Sequence, residues 1–293
     1  MNTPTLTLPA PGARRPHPLT ALAASVPGSV GLAGAVLLFF LVAALWPQAL
    51  QTHDPLQMDL AAVLQAPSAA HLFGTDQTGR DTYSRLIEGT RQSLGIGLGA
   101  TALSLGLALL LGVTAGLGGR VADAVISRVL DVLFAFPTLF LALLFVTVFG
   151  VSVATLIVAV GVGTAPGYAR MIRGQVLAVR GAGYVEAARA LGHAPARIVR
   201  QHILPNAIRP LVVMLTLGVG QSIVWASGLA FLGLGVAPPS PEWGALLDAG
   251  RSYVTRAWWL EVMPGLAIVA FALSVTVIGR HLQDRLEGKV GRP

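Results

Sequence analysis

The sequence predicts an all-α polytopic membrane protein with six transmembrane helices. Three observations lead to this. Of 293 residues, 54% are hydrophobic and only 11% charged, against about 25% charged in an ordinary soluble domain. Charge-free runs of membrane length recur at 28–48, 92–119, 132–169, 210–241 and 262–279. Basic residues, finally, gather in alternate connecting segments. About 20 apolar residues carry a helix across the hydrocarbon core, and only helices or closed barrels satisfy their backbone groups there. Continuous apolar runs, rather than short alternating ones, select helices.

The first span, 28–48, follows an N-terminal tail, 1–27, whose Pro- and Thr-rich beginning is expected to be mobile. Arg14 and Arg15 ahead of an apolar stretch look like a secretion signal. The run is too long for the 7–15-residue apolar core of such a leader, and no small-x-small cleavage site follows Pro47, so a retained span is expected. In the segment before the second span (93–117), Tyr83, Leu86 and Leu94 make an apolar side. Asp76, Arg80, Asp81, Arg85, Glu88 and Arg91 make a mixed-charge side. This pattern predicts an amphipathic elbow along the outer interface. The 38-residue run 132–169 would be about 57 Å long as one helix, nearly twice the hydrocarbon thickness. It is read as two spans, 131–149 and 152–169, joined by a hairpin at Gly150-Val151-Ser152. The fifth and sixth spans are 209–235 and 262–281. Pro137, Pro166 and Pro264 lie inside spans, where neighbouring helices can repair the freed backbone groups. Trp258-Trp259 is expected to anchor the outer interface.

With the N-terminus inside, the internal segments hold 15 of the 20 basic residues but 5 of the 13 acidic ones. That is the positive-inside pattern, with both termini cytoplasmic. The net charge of +7 therefore reports topology and gives no argument for nucleic acid. With no cysteine there is no disulfide framework and no thiolate metal site. The six histidines, His17, His53, His71, His193, His202 and His281, show no i, i+4 ligand spacing, so no metal or other cofactor is expected on this chain. No phosphate-cradling Gly-x-x-x-x-Gly-Lys-[Ser/Thr] loop occurs, since Gly288-Lys289 is followed by Val290; ATP is not expected to bind. No span has an ionisable residue near its centre, which disfavours an ion-coupled secondary transporter or channel. Energy must then enter from a partner, through a surface.

The inside loop 170–209 is the candidate surface. It carries seven arginines and the string Glu186-Ala187-Ala188-Arg189-Ala190-Leu191-Gly192, with Leu204-Pro205 following. Pro195 divides it into two short helical stretches, about 182–191 and 195–202. Gly192 stands where a left-handed residue ends a helix. The small alanines allow close approach, Leu191 and Ile198 offer apolar contacts, and Glu186 is a lone carboxylate among arginines. Pro205 is expected to stop the helix before the next span. Along the fifth span, Thr216, Gln221, Ser222 and Ser227 are candidates for a translocation path, or equally for polar packing between helices.

The Glu-Ala-Ala-x-x-x-Gly string with Leu204-Pro205 resembles the cytoplasmic coupling loop of permease subunits of bacterial ATP-driven (ABC) importers. Residues 71–92, His-Leu-Phe-Gly-Thr-Asp-Gln-Thr-Gly-Arg-Asp onward, and 226–251, with Phe231-Leu232-Gly233-Leu234-Gly235, Pro238-Pro239 and Trp243-Gly244, are similar to the C-type subunit of the dipeptide, oligopeptide and nickel branch. Two departures stand out: His202 replaces the Ile of the general loop pattern, and Arg280-His281 replaces an acidic-Gly pair. The resemblance implies the type I ABC importer permease fold, with a permease core over 71–289 preceded by the first span and its connection (28–70) and followed by a tail (290–293). It also implies residence in the bacterial inner membrane and a second homologous permease. Two ATPase subunits using ATP and Mg would dock at the loop, and an extracytoplasmic solute-binding protein would deliver the cargo. The coupling residues it implies are Glu186, Ala187, Ala188, Leu191, Gly192, Ile198, Leu204 and Pro205. Peptides are the expected solute, with nickel or another small solute as the alternative these motifs leave open.

Overall fold

The computed structural model describes residues 27–208 and 211–286; the N-terminal and C-terminal tails and Arg209-Pro210 lie outside them. Among the described residues the chain is helical, with no strand. Helix α1 (Gly28–Leu45) leads through two short 3₁₀ turns to α2 (Thr82–Leu117), then α3 (Gly119–Ala135), α4 (Thr138–Phe149) and α5 (Val153–Arg180). The loop helices are α6 (Gly183–Ala190), α7 (Pro195–Ile198) and α8 (Leu204–Ile208), with a π-helical stretch, Val199–Ile203, before α8. They lead to α9 (Leu211–Leu229), α10 (Trp243–Arg251) and α11 (Trp259–Leu286). Five helices are long and apolar enough to cross a membrane, and a sixth crossing exists only if α3 and α4 count as one.

That qualification corrects the third predicted span. The chain turns by 87° between α3 and α4, at Phe136-Pro137, where Pro137 forces its predecessor into extended backbone (Phe136 ψ 124°). The 12 residues of α4 reach only about 18 Å. Helix α3 lies against the inner part of α5, held by Arg173 to Asp123 (2.8 Å) and Arg170 to Asp131 (2.8 Å). The hairpin at 150–152 is present: Gly150 ends α4 at φ 75°, and the Ser152 hydroxyl caps α5 by accepting the Thr155 N–H.

Helix α2 is the axis of the molecule and packs along α5 more extensively than any other pair. Its contact line is built of small residues: Ala100, Ser104, Ala108, Gly112 and Gly116 are all buried, while Gly97 and Thr101 face α9. A Cβ on Gly112 would run into the Ala169 carbonyl and the Ile172 side chain. Close approach of this kind replaces the hydrophobic driving force that lipid cannot supply. Hydroxyls add cross-links, Thr101 to Ser222 (3.0 Å) and Thr164 to Ser104 (2.9 Å). Outward-facing Leu32, Leu38, Leu41 and Leu45 on α1 are exposed, as lipid contact requires.

The predicted elbow is overturned. Helix α2 begins at Thr82, so residues 82–92 are the first turns of a 36-residue helix and not an interfacial segment. Most of the mixed-charge side is buried, Asp76, Arg80, Asp81 and Arg85 each at most 6% exposed, while Glu88 is half-buried and Arg91 exposed. Asp76 pairs with Arg80 at 2.7 Å and with Arg85 at 3.5 Å. Arg85 also donates to the carbonyls of Pro55 and Pro239. The amphipathic pattern is that of a helix end plugged into an extracytoplasmic cap.

Two sequence blocks far apart in the chain make that cap. A Cβ on Gly89 would overlap the Pro241 carbonyl. Trp243, fully buried, donates its indole N–H to the Leu86 carbonyl (3.0 Å) and its backbone N–H to the Ser93 hydroxyl. The Ser93 hydroxyl in turn donates to buried Glu242, which caps α10 through the N–H groups of Gly244 and Ala245. Burial pushes the Glu242 carboxyl upward, and these three hydrogen bonds pull against it. Of the predicted aromatic anchors, Trp258 is half exposed, but Trp259 is buried and donates to the Thr75 carbonyl (3.1 Å). It is a structural tryptophan instead.

Candidate functional site

The loop between α5 and α9 is anchored on one side and bare on the other. Helix α5 runs 11 residues past its predicted end, to Arg180, so the chain leaves it only at Gly181. Helix α6 lacks a side-chain N-cap, but Glu186 sits in its first turn and Arg189 in its last, each placed to favour the helix dipole. Its C-terminus is closed by two backbone bonds, Gly192 N–H to Arg189 C=O (3.0 Å) and His193 N–H to Ala188 C=O (3.1 Å). This is the Schellman pattern, and Gly192 supplies its left-handed residue at φ 75°.

Among the described residues of the loop, five turn inward. Val185, Ala188, Ile198, Ile203 and Ala207 are buried and pack with Ala108, Leu130, Ala169, Ile172 and Val176 of α2, α3 and α5. Ala188 and Ile198, predicted to meet a partner, therefore hold the loop to its own subunit. Glu186, Ala187, Leu191 and Gly192 are exposed, with Leu191 at 76%. Leu204 is half-buried and Pro205 exposed.

Pro205 does not stop the helix, contrary to expectation. Pro205 has no N–H for the Gln201 carbonyl, and the chain meets this with wider turns. Residues Val199–Ile203 are π-helical, with the Leu204 N–H reaching back to the Val199 carbonyl. The helix resumes as α8, and Asn206 donates from its side chain to the His202 carbonyl (2.7 Å). Breaks of this kind concentrate at functional positions. The loop histidines, read as solitary, are brought together. The rings of His193 and His202 stack at 6.1 Å, beside a cleft of about 420 Å³ lined by Arg180, Arg189, His193 and Ile198.

On α9 the four path candidates separate. Ser222 is buried against Thr101, and Ser227 is buried with its hydroxyl unpartnered. Thr216 is half-buried. Gln221 alone lies on the exposed stripe it shares with Val224, Trp225 and Gly228, and it accepts a hydrogen bond from Tyr168 of α5 (3.1 Å).

The profile of the family described as binding-protein-dependent transport system inner membrane component matches residues 108–291. The chain belongs to this family. The permease is 40% identical over 257 residues to a probable D,D-dipeptide transport system permease protein of Escherichia coli (strain K12), covering 87% of this chain and 86% of that one. It is 37% identical over 283 residues to a di/tripeptide transport system permease protein of Pseudomonas aeruginosa (strain UCBPP-PA14), covering 94% and 93%. Among solved structures, the membrane chain of an amino acid ABC transporter crystallised with histidines superposes with TM-score 0.57 at 19% identity, over 69% of this chain and 94% of that one. At that identity the match speaks for the fold, which is that of the ABC importer permeases. The permease is a multi-pass component of the inner membrane.

The geometry also shows what sequence reading missed. The staple formed by Ser93, Glu242 and Trp243 spans about 150 residues, and only the turn-forming Pro238-Pro239 and a helix-capping acid before Trp243-Gly244 hinted at it. Similarly, the inward face of α6 was legible in the three-residue spacing of Val185 and Ala188, a period overshadowed by the wealth of alanine.

Proposed function

We propose that the permease is the non-catalytic, pore-forming subunit of an ATP-driven importer for di- or oligopeptides. It pairs with a second, similar permease and accepts an ATPase subunit at the exposed face of α6. A second ATPase docks on the other permease, and an extracytoplasmic binding protein delivers solute from the opposite side. The chain itself binds no nucleotide. One observation carries the reading: α6 offers Glu186, Ala187 and Leu191 outward while Val185 and Ala188, with Ile198 of α7, fix it to α2 and α5. A force applied at the exposed face is therefore delivered to two spans. An ATPase can shift the pore between states only through contacts that differ between them, and this loop has the build to carry such contacts. The names of the relatives favour peptides over nickel.

The solute path is assigned to the exposed stripe of α9 around Gln221, where the second permease would face it. Ser222 and Ser227 serve packing.

The test is co-purification of the ATPase subunits with Leu191→Asp and Glu186→Ala variants, alongside uptake of labelled dipeptide and immunoblot levels. Loss of ATPase and uptake at normal permease level is expected. Full ATPase recovery with full uptake for both would place the docking surface elsewhere.

A further inference from the structure

We propose that the extracytoplasmic end of the permease holds a divalent transition-metal cation of the Zn²⁺ type between His53, His71 and Asp81. This departs from the expectation that no metal binds the chain. The two histidines are 18 residues apart and carry no ligand spacing, but the connection between them, with its 3₁₀ turn at Leu60–Ala62, folds back on itself. Their rings lie 4.8 Å apart. One donor atom from each of the three residues lies within 4.8 Å of the other two.

Both rings bring Nδ1 near the same carboxylate oxygen, that of His53 also meeting the Thr52 hydroxyl at 3.1 Å. Asp81 Oδ1 is 3.0 Å from Nδ1 of His71 and 3.8 Å from Nδ1 of His53. Ligands bound to Zn²⁺ at about 2.0–2.1 Å stand roughly 3 to 3.5 Å apart across a right or tetrahedral angle, and the two separations bracket that value. Two imidazoles and a carboxylate suit zinc and its neighbours. They do not suit calcium or magnesium, which take all-oxygen shells.

The donors are held in place by other groups. Asp81 divides its labour: Oδ2 caps α2 by accepting the Ser84 N–H (2.8 Å) and the Thr52 hydroxyl, leaving Oδ1 to the histidines. The Ser84 hydroxyl accepts the backbone N–H of both Thr52 and His53 (3.2 and 3.0 Å). The Ser68 hydroxyl accepts that of His71 (3.1 Å). Such outer bonds orient ligands before an ion arrives. Access is open, because the His53 side chain is 43% exposed and lines an external hollow of about 530 Å³ with Gln51, Asp54 and Glu88. Three protein donors leave at least one position for water. The ion would pin the segment after α1 to the N-terminus of α2.

The test uses the whole transporter, purified without a polyhistidine tag, stripped with chelator and dialysed against buffered micromolar Zn²⁺. The wild type should retain one more zinc per transporter than His53→Ala/His71→Ala, and His53→Ala should bind at least about tenfold more weakly. X-ray absorption on the wild type should show two imidazole nitrogens and a carboxylate oxygen at about 2.0–2.2 Å. Equal retention by all three proteins means an adventitious ion only and overturns the proposal, as does no retention by the wild type. His53 is half exposed, so His53→Ala, the milder change, decides the question if the double variant does not assemble.

Discussion

Gly192 shows how one residue aims a surface. At φ 75° a β-branched side chain is strained by about 1–2 kcal/mol, although the space around a Cβ there is open. The strain acts on the Schellman bonds that set the angle between α6 and α7. Gly192→Val should therefore abolish most peptide uptake while immunoblot levels stay near wild type, and Gly192→Asn, which tolerates the left-handed region, should retain most of it. Equal uptake by Gly192→Val and wild type would show that the angle is immaterial. Gly192 was legible in the sequence because glycine after a short alanine-rich stretch has one strong backbone use. Ser222 and Ser227 were not, because a small hydroxyl on an apolar helix looks the same whether it faces a path or a neighbour.

Among the elements, α2 departs most from its pattern. Its start carries the alternating charge of a surface helix, yet Arg85 and the preceding Asp76 and Arg80 neutralise one another inside the extracytoplasmic cap. Burial pushes the Asp76 carboxyl upward, but hydrogen bonds from Thr78 and Arg80 outweigh it and leave the group below its ordinary value. A lowered carboxyl contributes stability above its unfolded value and loses it as pH falls through the folded one. This pairing should thus be intact at neutral and mildly acidic pH and fail only below the ordinary carboxylate range. Asp76→Ala leaves Arg80 and Arg85 buried without their counter-ion, a change of about 3–5 kcal/mol. The thermal unfolding midpoint of the purified transporter should fall clearly at pH 7. An unchanged midpoint would show that solvent already screens the pair. The helix could not be read here because amphipathic spacing fixes which residues share a side and says nothing of what covers it. The bend at Pro137 failed for a related reason. Proline in an apolar run is compatible with a straight, repaired helix as well as a corner, and only the contacts of α3 with α5 select the corner.

For the whole molecule, the charge bias assigns the α6 end to the cytoplasm, and the chain's lack of cysteine makes this directly measurable. Gln57 and Ala196 are both exposed, at opposite ends. Gln57→Cys should react with an impermeant thiol reagent outside intact cells, and Ala196→Cys only after permeabilisation; the reverse labelling would invert the topology. The number of hydrophobic segments and their order were legible because hydrocarbon thickness imposes them. The way the two ends differ was not. The outer end is joined through main-chain carbonyls of Thr75, Leu86, Pro239 and Pro241, with no room at Gly89 for even a methyl group. The inner end is joined by two partly exposed ion pairs between α3 and α5, by the apolar cluster that seats Val185, Ala188 and Ile198 on α2, α3 and α5, and by a helix widened at Val199–Ile203. The outer end is thus knitted by main-chain groups and the inner end by side chains. If two such chains form the pore, the outer mouth cannot be widened by loosening either one. Opening is then expected to come from the two halves swinging apart with their outer ends intact, the adjustment falling among the side chains of the cytoplasmic half.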